Sequence, residues 1–247
     1  MPRLFEEPLV TEASWMLPMV LLALPVVMIT IGWKYPLDGK QISLILWAGW
    51  LLPVMAYFSF TNGLFHRYYL IMLGPPLAAL TGISFWSFHT VFQKNRTSGW
   101  LTAGLISGLS MLFEISVMWS YREYAVPAAG AAFGLWLGGM ALLTIGKRRW
   151  LHLVGMACLL GSMLAAPFTW SLLTTLNTDP NVGLPTAGPA QSDQTKATQM
   201  TPNLSTLSTN GEAILEHVLA NTDPDDYLLA TLNARGAAPY ILETRRP

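Results

Sequence analysis

The chain has 247 residues, of which 52% are hydrophobic and only 11% are charged, against roughly 25% charged residues in ordinary globular domains. Its formal net charge is zero, which excludes the basic surface that binds nucleic acid. A single cysteine, Cys158, excludes an intrachain disulfide and a thiolate zinc site. Charged residues are scarce over 13–176 and ordinary beyond, so the composition predicts a membrane protein with a soluble tail.

Six segments carry the roughly 20 mostly apolar residues that a helix needs to cross the hydrocarbon layer. They are residues 15–33, 43–60, 68–88, 100–119, 126–145 and 151–173. Glycines recur in the fourth and fifth segments, which favours close packing of these two helices inside a bundle. Aromatic residues at the segment ends are typical of interfacial belts: Trp15, Trp33, Tyr68, Trp100, Trp119, Tyr124, Trp150 and Trp170. The sequence therefore predicts an all-α polytopic membrane bundle over residues 1–176.

The basic residues predict the orientation of this bundle. The loops after the first, third and fifth segments hold seven of them: Lys34, Lys40, Lys94, Arg96, Lys147, Arg148 and Arg149. The opposite side has three, namely Arg3, Arg67 and Arg122. Because cytoplasmic loops are enriched in lysine and arginine, the first set is expected in the cytoplasm. The chain is thus predicted to be a multi-pass plasma-membrane protein whose C-terminal tail is extracytoplasmic.

The tail begins with residues 177–208, whose Thr, Pro, Ser, Gln and Asn content is typical of a linker or irregular lead-in. Residues 209–247 then suggest the beginning of a small α/β domain. Thr209 with Glu212 forms a capping-box pattern, Tyr227–Thr231 has the composition of a strand, and another helix follows. One strand cannot form a sheet, and the opening "MPRLFEEPL" resembles the interior of a loop. We therefore expect the chain to be a piece of a longer protein.

A polar cluster, His66-Arg67-Tyr68-Tyr69, lies directly before the third apolar segment. Arg67 supplies a permanent cation suited to phosphate, His66 can donate a hydrogen bond or move a proton, and tyrosines combine an apolar body with a hydroxyl. The cluster fits a site for a lipid phosphate or an attached sugar. It equally fits a snorkelling arginine beside an aromatic belt. Pro75-Pro76, just beyond, is expected to kink the segment near its middle.

Glu114 lies inside the fourth apolar segment. Carboxylates within the membrane are costly and usually face a cavity or a partner. Arg67 and Arg122 are predicted on the same side of the membrane, so both an internal ion pair and a substrate contact remain open. The residues supply no complete catalytic set and no metal-ligand spacing.

The segment "LFHRYYLIMLGPPLAALTGI" resembles the membrane part of bacterial family-39-type glycosyltransferases, the relatives of protein mannosyltransferases and aminoarabinose transferases. The resemblance extends to a mannosyltransferase subgroup with an added C-terminal extracytoplasmic domain. That subgroup typically shows F-H-P-Y-Y followed by L-A-P-A-L-A-A-L-x-G. The matching positions here are Phe65, His66, Tyr68, Tyr69, Pro75, Leu77 to Leu80 and Gly82, with Arg67 in place of the usual proline. "RLFEEPL" with "SWMLP", and "LLATLNARGAAPYILETRRP" in the tail, also resemble this subgroup.

The resemblance implies a glycosyltransferase that moves a sugar, mannose in that subgroup, from a polyprenyl-phosphate donor to an acceptor on the outer face. The family's catalytic aspartate lies in an early outer loop that has no counterpart here. The chain would then hold no catalytic residue, be inactive alone, and depend on a missing N-terminal part of the same protein and on membrane lipid. No cofactor is expected, and nothing in the residues supports a divalent metal. The expected substrate-binding residues are His66, Tyr68 and Tyr69 from the resemblance, and Arg67 and Glu114 from their chemistry.

Two other functions remain open. A six-span transporter or channel would need ionisable residues deeper in the bundle, where Glu114 comes nearest. A non-catalytic membrane anchor would display its outer domain to a partner and would have no affinity for lipid phosphate.

Overall fold

The computed structural model describes residues 3–6, 9–61, 67–146, 148–176, 187–189, 209–223, 226–230 and 234–244. The chain divides into two compact units, residues 1–173 and 174–247. The helices that begin in the first unit are α1 (Val10–Ala13), α2 (Leu17–Ile31), α3 (Gly39–Phe60), α4 (Gly74–Lys94), α5 (Arg96–Met118), α6 (Arg122–Ile145) and α7 (Arg149–Leu176). Two 3-10 helices, Arg3–Phe5 and Arg67–Leu73, precede α1 and α4. The tail contains α8 (Thr209–Asn221) and α9 (Ala234–Thr244).

The all-α polytopic bundle predicted from the sequence is confirmed. Within the described residues, five helices are long and apolar enough to cross a membrane: Gly39–Phe60, Tyr69–Lys94, Arg96–Met118, Arg122–Ile145 and Arg149–Leu176. The first predicted span, 15–33, forms a shorter helix, the 15 residues of α2. Gly32 ends α2 with φ of 68°, a backbone conformation that residues with a side chain rarely adopt.

Helix α4 lies at the centre of the first unit and packs against α2, α3 and α5. Its buried residues recur every three or four positions: Leu77, Leu80, Thr81, Ser84, Ser87 and Phe88. The Ser87 hydroxyl donates a hydrogen bond of 2.8 Å to Thr30 Oγ1 on α2. Such a hydrogen bond helps to hold two membrane helices together, because apolar side chains contact lipid about as favourably as they contact another helix.

The helices alternate in direction, which gives the bundle two ends. At one end, Arg3 Nη1 donates to the Thr61 carbonyl over 2.5 Å, and the turn between α5 and α6 lies at the same end. We call it the Arg3 end. The opposite end, which carries the one-residue turn between α4 and α5, is called the Arg96 end. Among the residues whose side chains are described, the Arg96 end carries Lys34, Lys40, Lys94, Arg96, Arg148 and Arg149, and the Arg3 end carries Arg3 and Arg122.

Glycines bring neighbouring helices into close contact, as the sequence predicted for the fourth and fifth segments. A Cβ atom on Gly139 of α6 would lie 2.8 Å from the Gly155 carbonyl oxygen of α7, and one on Gly108 would lie 3.3 Å from the Trp136 ring. Helix α6 also has an exposed side. Gly130 and Gly134 are exposed, and a Cβ on either would meet no described atom within 4 Å.

Arg96 binds the C-terminal end of α6. One guanidinium nitrogen, Nη2, donates to the carbonyls of Leu143 (2.9 Å), Thr144 (2.5 Å) and Gly146 (3.1 Å). The last carbonyls of a helix have no partner within it, and a cation there also complements the helix dipole. Arg96, at the start of α5, therefore joins α5 to the end of α6.

Replacing Arg96 with alanine is expected to lower the free energy of unfolding by about 1.5 kcal/mol, the low end for hydrogen bonds to a charged group, because the side chain is exposed. Unfolding of the purified chain by sodium dodecyl sulfate in mixed micelles measures this. Arg148→Ala is the control, since that exposed side chain at the same end forms no hydrogen bond with a described residue. Equal losses for the two variants would contradict the role of Arg96.

The proline pair does not kink the middle of a span. Pro75 and Pro76 lie in the first turn of α4, directly after the 3-10 helix Arg67–Leu73. The first N–H groups of a helix have no acceptor within it, so proline loses no hydrogen bond at this position. The prolines therefore fix where α4 begins.

The tail, described by itself, contains α8 and α9, the two helices that the sequence predicted. The predicted strand is not formed over residues 227–230, which have no regular secondary structure. A strand needs a partner for its backbone groups, and no strand occurs among the described residues of the tail. Thr231 and almost all of the predicted linker 177–208 lie outside the described residues; within 187–189, the Gly188 N–H donates to Thr174 Oγ1 over 2.7 Å.

Candidate functional site

The predicted phosphate-binding cluster lies at the Arg3 end. His66 lies outside the described residues, and the side chains of Arg67 and Tyr68 are likewise not described. Their backbone belongs to the 3-10 helix Arg67–Leu73. Tyr69, in the same turn, is 44% exposed. The structure thus places the backbone of Arg67, Tyr68 and Tyr69 at the start of a membrane-spanning helix.

The 3-10 helix Arg67–Leu73 is anchored by two leucines. Leu70 and Leu73 are 3% and 0% exposed, and their spacing of three residues matches one turn of a 3-10 helix, which puts both on one face. The segment packs against α1, α3 and the start of α4. Ile71 and Met72 are exposed. One side of this 3-10 helix is therefore packed against the bundle, and the other side is exposed.

Glu114 lies on the buried face of α5, with Ser110 one turn and Ser107 two turns before it. It is 1% exposed, and neither carboxyl oxygen has a hydrogen-bond partner among the described residues. The serine hydroxyls do not supply one, because Ser107 donates to the Ala103 carbonyl (2.6 Å) and Ser110 to the Ile106 carbonyl (2.8 Å). Glu114 is thus a buried carboxyl group with both oxygens available.

The predicted ion pair between Glu114 and Arg122 is not formed. The Arg122 guanidinium lies 5.3 Å from the centroid of the Trp119 ring, at the turn between α5 and α6. Because the Arg67 side chain lies outside the described part of the chain, the other predicted pairing is not tested. The hypothesis of an internal ion pair therefore does not hold for Arg122, the one of its two candidate partners whose side chain the structure describes.

Three aromatic residues form a cluster at the Arg3 end. The Trp15 and Trp170 rings are 5.7 Å apart between centroids, and Tyr121 contacts Trp170 edge-on at 5.0 Å. Trp15 and Trp170 are 7% and 3% exposed, so their assignment to a lipid-facing belt is wrong, whereas Trp33, Trp119 and Trp150 are exposed as predicted.

A signal for the inward position of Trp170 exists in the sequence. It follows Leu159, Met163 and Ala166 at intervals of four, three and four residues, and all four side chains are buried. This spacing places them on one helix face. The terminal position of Trp170 suggested a belt, while its periodicity indicated the core.

The N-terminal residues bring these parts of the Arg3 end together. Phe5 contacts Phe113, the neighbour of Glu114, edge-on at 6.0 Å between centroids. Ser14 Oγ donates to the Leu4 carbonyl over 2.5 Å, and α1 packs against the 3-10 helix Arg67–Leu73. The last turns of α5, the aromatic cluster and the segment after His66 therefore share one end of the bundle.

The described residues at this end offer groups that can bind a ligand. A carboxyl group with two available oxygens accepts hydrogen bonds from hydroxyl groups, and buried aromatic rings provide apolar contact surfaces. No group of three or more His, Cys, Asp or Glu that could hold a metal ion is found within the described ranges. The described residues thus offer a carboxyl group and aromatic rings for recognising a ligand.

Comparison with known proteins gives two relatives. The chain is 32% identical over 247 residues to a Bacillus subtilis (strain 168) protein named "Putative mannosyltransferase YycA", covering 97% of this chain and 34% of that protein. It is 30% identical over 252 residues to "Putative mannosyltransferase YkcB" of the same organism, covering 99% of this chain and 34% of that protein. No protein-family model matches, and no solved structure matches.

These matches extend along the chain from the membrane helices into the tail. They cover nearly all of this chain but about a third of each relative. The chain is thus similar, over almost its whole length, to one part of two larger bacterial proteins that are named as mannosyltransferases.

Proposed function

We propose that the chain is part of an integral-membrane glycosyltransferase that takes a sugar, mannose by analogy with its relatives, from a polyprenyl-phosphate donor. The observation that carries this proposal is the similarity of 97% and 99% of the chain to two proteins named as mannosyltransferases. The five apolar helices support it, because a polyprenyl chain is soluble only in the membrane.

The donor site is proposed at the Arg3 end. His66, Arg67, Tyr68 and Tyr69 would bind the phosphate, since their segment directly precedes a membrane helix, at the depth of lipid headgroups. Glu114 would accept hydrogen bonds from the sugar. Its burial without a partner among the described residues supports this role, because such a group is costly unless a ligand satisfies it.

The Arg3 end is proposed to be extracytoplasmic in the plasma membrane. The sequence supports this orientation, because the loops after the first, third and fifth apolar segments hold seven basic residues and the opposite side holds three. The tail, which follows α7 at the Arg3 end, would then be extracytoplasmic as well.

The catalytic base is proposed to come from a further part of the same protein. The relatives are about three times as long as the part that this chain matches, and the described residues at the Arg3 end bind rather than react. The chain alone would therefore hold the donor without transferring its sugar.

Arg67→Ala is expected to weaken binding of a short-chain polyprenyl-phosphate mannose to the purified chain about tenfold, because a hydrogen bond to a charged group contributes about 1.5–3 kcal/mol. Equilibrium binding of radiolabelled donor in detergent micelles measures this. Arg148→Ala removes the same charge at the Arg96 end and should leave binding unchanged. If Arg67→Ala binds the donor as tightly as the unaltered chain, the cluster belongs to an aromatic and basic belt.

An ion-coupled transporter is the competing function that Glu114 favours, because carboxyl groups inside membrane bundles often carry ions or protons. Measuring donor binding and solute flux with the chain reconstituted in vesicles distinguishes a transporter from a glycosyltransferase. Donor binding without solute flux supports the glycosyltransferase, whereas flux that disappears in Glu114→Gln supports transport.

A further inference from the structure

A groove of about 490 Å³ lies between α3 and α4 near the Arg96 end. Its lining includes Gly39, Lys40 and Ser43 of α3, and Ala78, Gly82 and Trp86 of α4. A Cβ atom on Gly39 or Gly82 would meet no described atom within 4 Å. The small residues therefore leave room for a narrow apolar chain along the outside of the bundle.

One wall of this groove carries an unpaired cation. The Lys40 ammonium lies 4.8 Å from the centroid of the Trp86 ring, and among the described residues it has no acidic partner. The nearest acidic residue in sequence, Asp38, accepts hydrogen bonds from the backbone N–H groups of Lys40 and Gln41 and so caps α3. Ser43, one turn after Lys40, adds a hydroxyl to the same wall.

Polarity along the groove follows depth in the membrane. Lys40 is the second residue of a membrane-spanning helix, which puts its ammonium at headgroup depth. From Trp86, α4 runs inward past Gly82 to Ala78, a distance of about 12 Å at 1.5 Å per residue. The groove is thus cationic where headgroups lie and apolar where acyl chains lie.

We propose that this groove binds one anionic phospholipid, with its phosphate at Lys40 and one acyl chain over Gly82 and Ala78. The ammonium favours a lipid over a second apolar helix, because an apolar helix would leave the charge without a partner. It also favours an anionic lipid over phosphatidylcholine, whose own cation competes with Lys40 for the phosphate. A basic residue near the membrane surface contributes about 1 kcal/mol to binding anionic lipid, which is about fivefold in affinity.

Native mass spectrometry of the purified chain tests whether the Lys40 ammonium selects anionic lipid. Phosphatidylglycerol and phosphatidylcholine with identical acyl chains are the probes. We expect the chain to bind phosphatidylglycerol about fivefold more tightly, and Lys40→Gln to remove this preference. Lys94→Gln, which removes an exposed lysine at the same end, should preserve it. Loss of the preference in Lys94→Gln, or its survival in Lys40→Gln, overturns the proposal.

A second pair of variants tests the apolar part. Gly82→Leu should lower the affinity for both lipids about fivefold without unfolding the chain, since the added side chain enters open space. Gly49→Leu, at an exposed glycine of α3 outside the groove with no described atom within 4 Å of a Cβ, should bind lipid normally. Displacement of phosphatidylglycerol by millimolar inorganic phosphate would indicate a simple anion site. If Gly82→Leu abolishes a dimer of the chain and leaves lipid binding unchanged, the groove binds a second copy of the chain. Either result overturns the proposal.

Discussion

Gly99→Ala is expected to lower the free energy of unfolding of the membrane unit by about 3 kcal/mol, the upper end of typical overpacking costs. A Cβ atom at this position would collide with the Cα and backbone N of Phe92 on α4 and would lie 2.5 Å from its Cβ. Backbone atoms cannot rotate away as a side chain can, so α4 and α5 would have to separate.

The position of Gly99 makes this separation costly. A single residue, Asn95, connects α4 to α5, and its side chain accepts a hydrogen bond from the Ser98 N–H over 3.1 Å. The Gly99 N–H donates to the Asn95 carbonyl over 2.9 Å. Moving Gly99 would disturb this turn and, with it, Arg96 and its bonds to the end of α6.

Thermal unfolding in dodecylmaltoside micelles, followed by circular dichroism, measures the effect of Gly99→Ala. Gly130→Ala is the matched control, because a Cβ there meets no described atom within 4 Å. That variant should be as stable as the unaltered chain or more stable by up to about 1 kcal/mol, since alanine is the better helix former. If the two variants have the same unfolding temperature, α4 and α5 do not pack as closely as described.

Glu114→Leu is expected to raise the free energy of unfolding by about 2 kcal/mol while abolishing donor binding. An acidic residue at the centre of a membrane helix costs roughly 2.5–3.5 kcal/mol on insertion scales. Glu114 lies four residues from the end of α5, so we take a smaller cost, and no described residue offsets it by a hydrogen bond to Glu114. Leucine of similar length removes the cost. A residue that lowers stability but is needed for binding is typical of functional sites.

Two measurements on the same preparations test this prediction: unfolding in sodium dodecyl sulfate, and binding of polyprenyl-phosphate mannose. The control is Glu123→Gln, which changes an exposed acidic residue at the same end and should affect neither quantity. A Glu114→Leu variant that is less stable would show that Glu114 has a structural partner. A Glu114→Leu variant that is more stable and binds the donor normally would show that Glu114 is not part of the donor site. The donor site would then be tested by Arg67→Ala alone.

Hydrophobicity alone predicted the order of the six apolar helices, of which α2 is shorter than expected. Two of the long helices start clearly earlier than their apolar segments. The predicted span 43–60 begins at Gly39, and 100–119 begins at Arg96. Polar caps explain both differences: Asp38 accepts hydrogen bonds from the first turn of α3, and Asn95 does so for α5. The helices extend into the interfacial layer, where apolar patterns give no signal.

The candidate site was predictable where a single residue is chemically unusual. Glu114 is recognisable in the sequence because a carboxyl group among apolar residues is rare. The absence of an ion pair between Glu114 and Arg122 was not predictable, because the position of the flexible Arg122 side chain depends on the conformation of the turn after α5. The inward orientation of Trp15 was equally hidden, because it depends on contact with Trp170, which is more than 150 residues away in sequence.

Helix α2 has a consequence for the lipid around the protein. Its 15 residues rise about 22 Å, some 8 Å less than a typical hydrocarbon layer of about 30 Å. One side of α2 contacts α4 and α5, while Ile29 and Leu22 on the other side are exposed. Acyl chains next to this side must shorten or tilt to match the helix, at a fraction of a kcal/mol for each ångström. We therefore expect the bilayer to be thinner beside α2 than beside the five longer helices, and membranes with shorter acyl chains to accommodate this side with less strain.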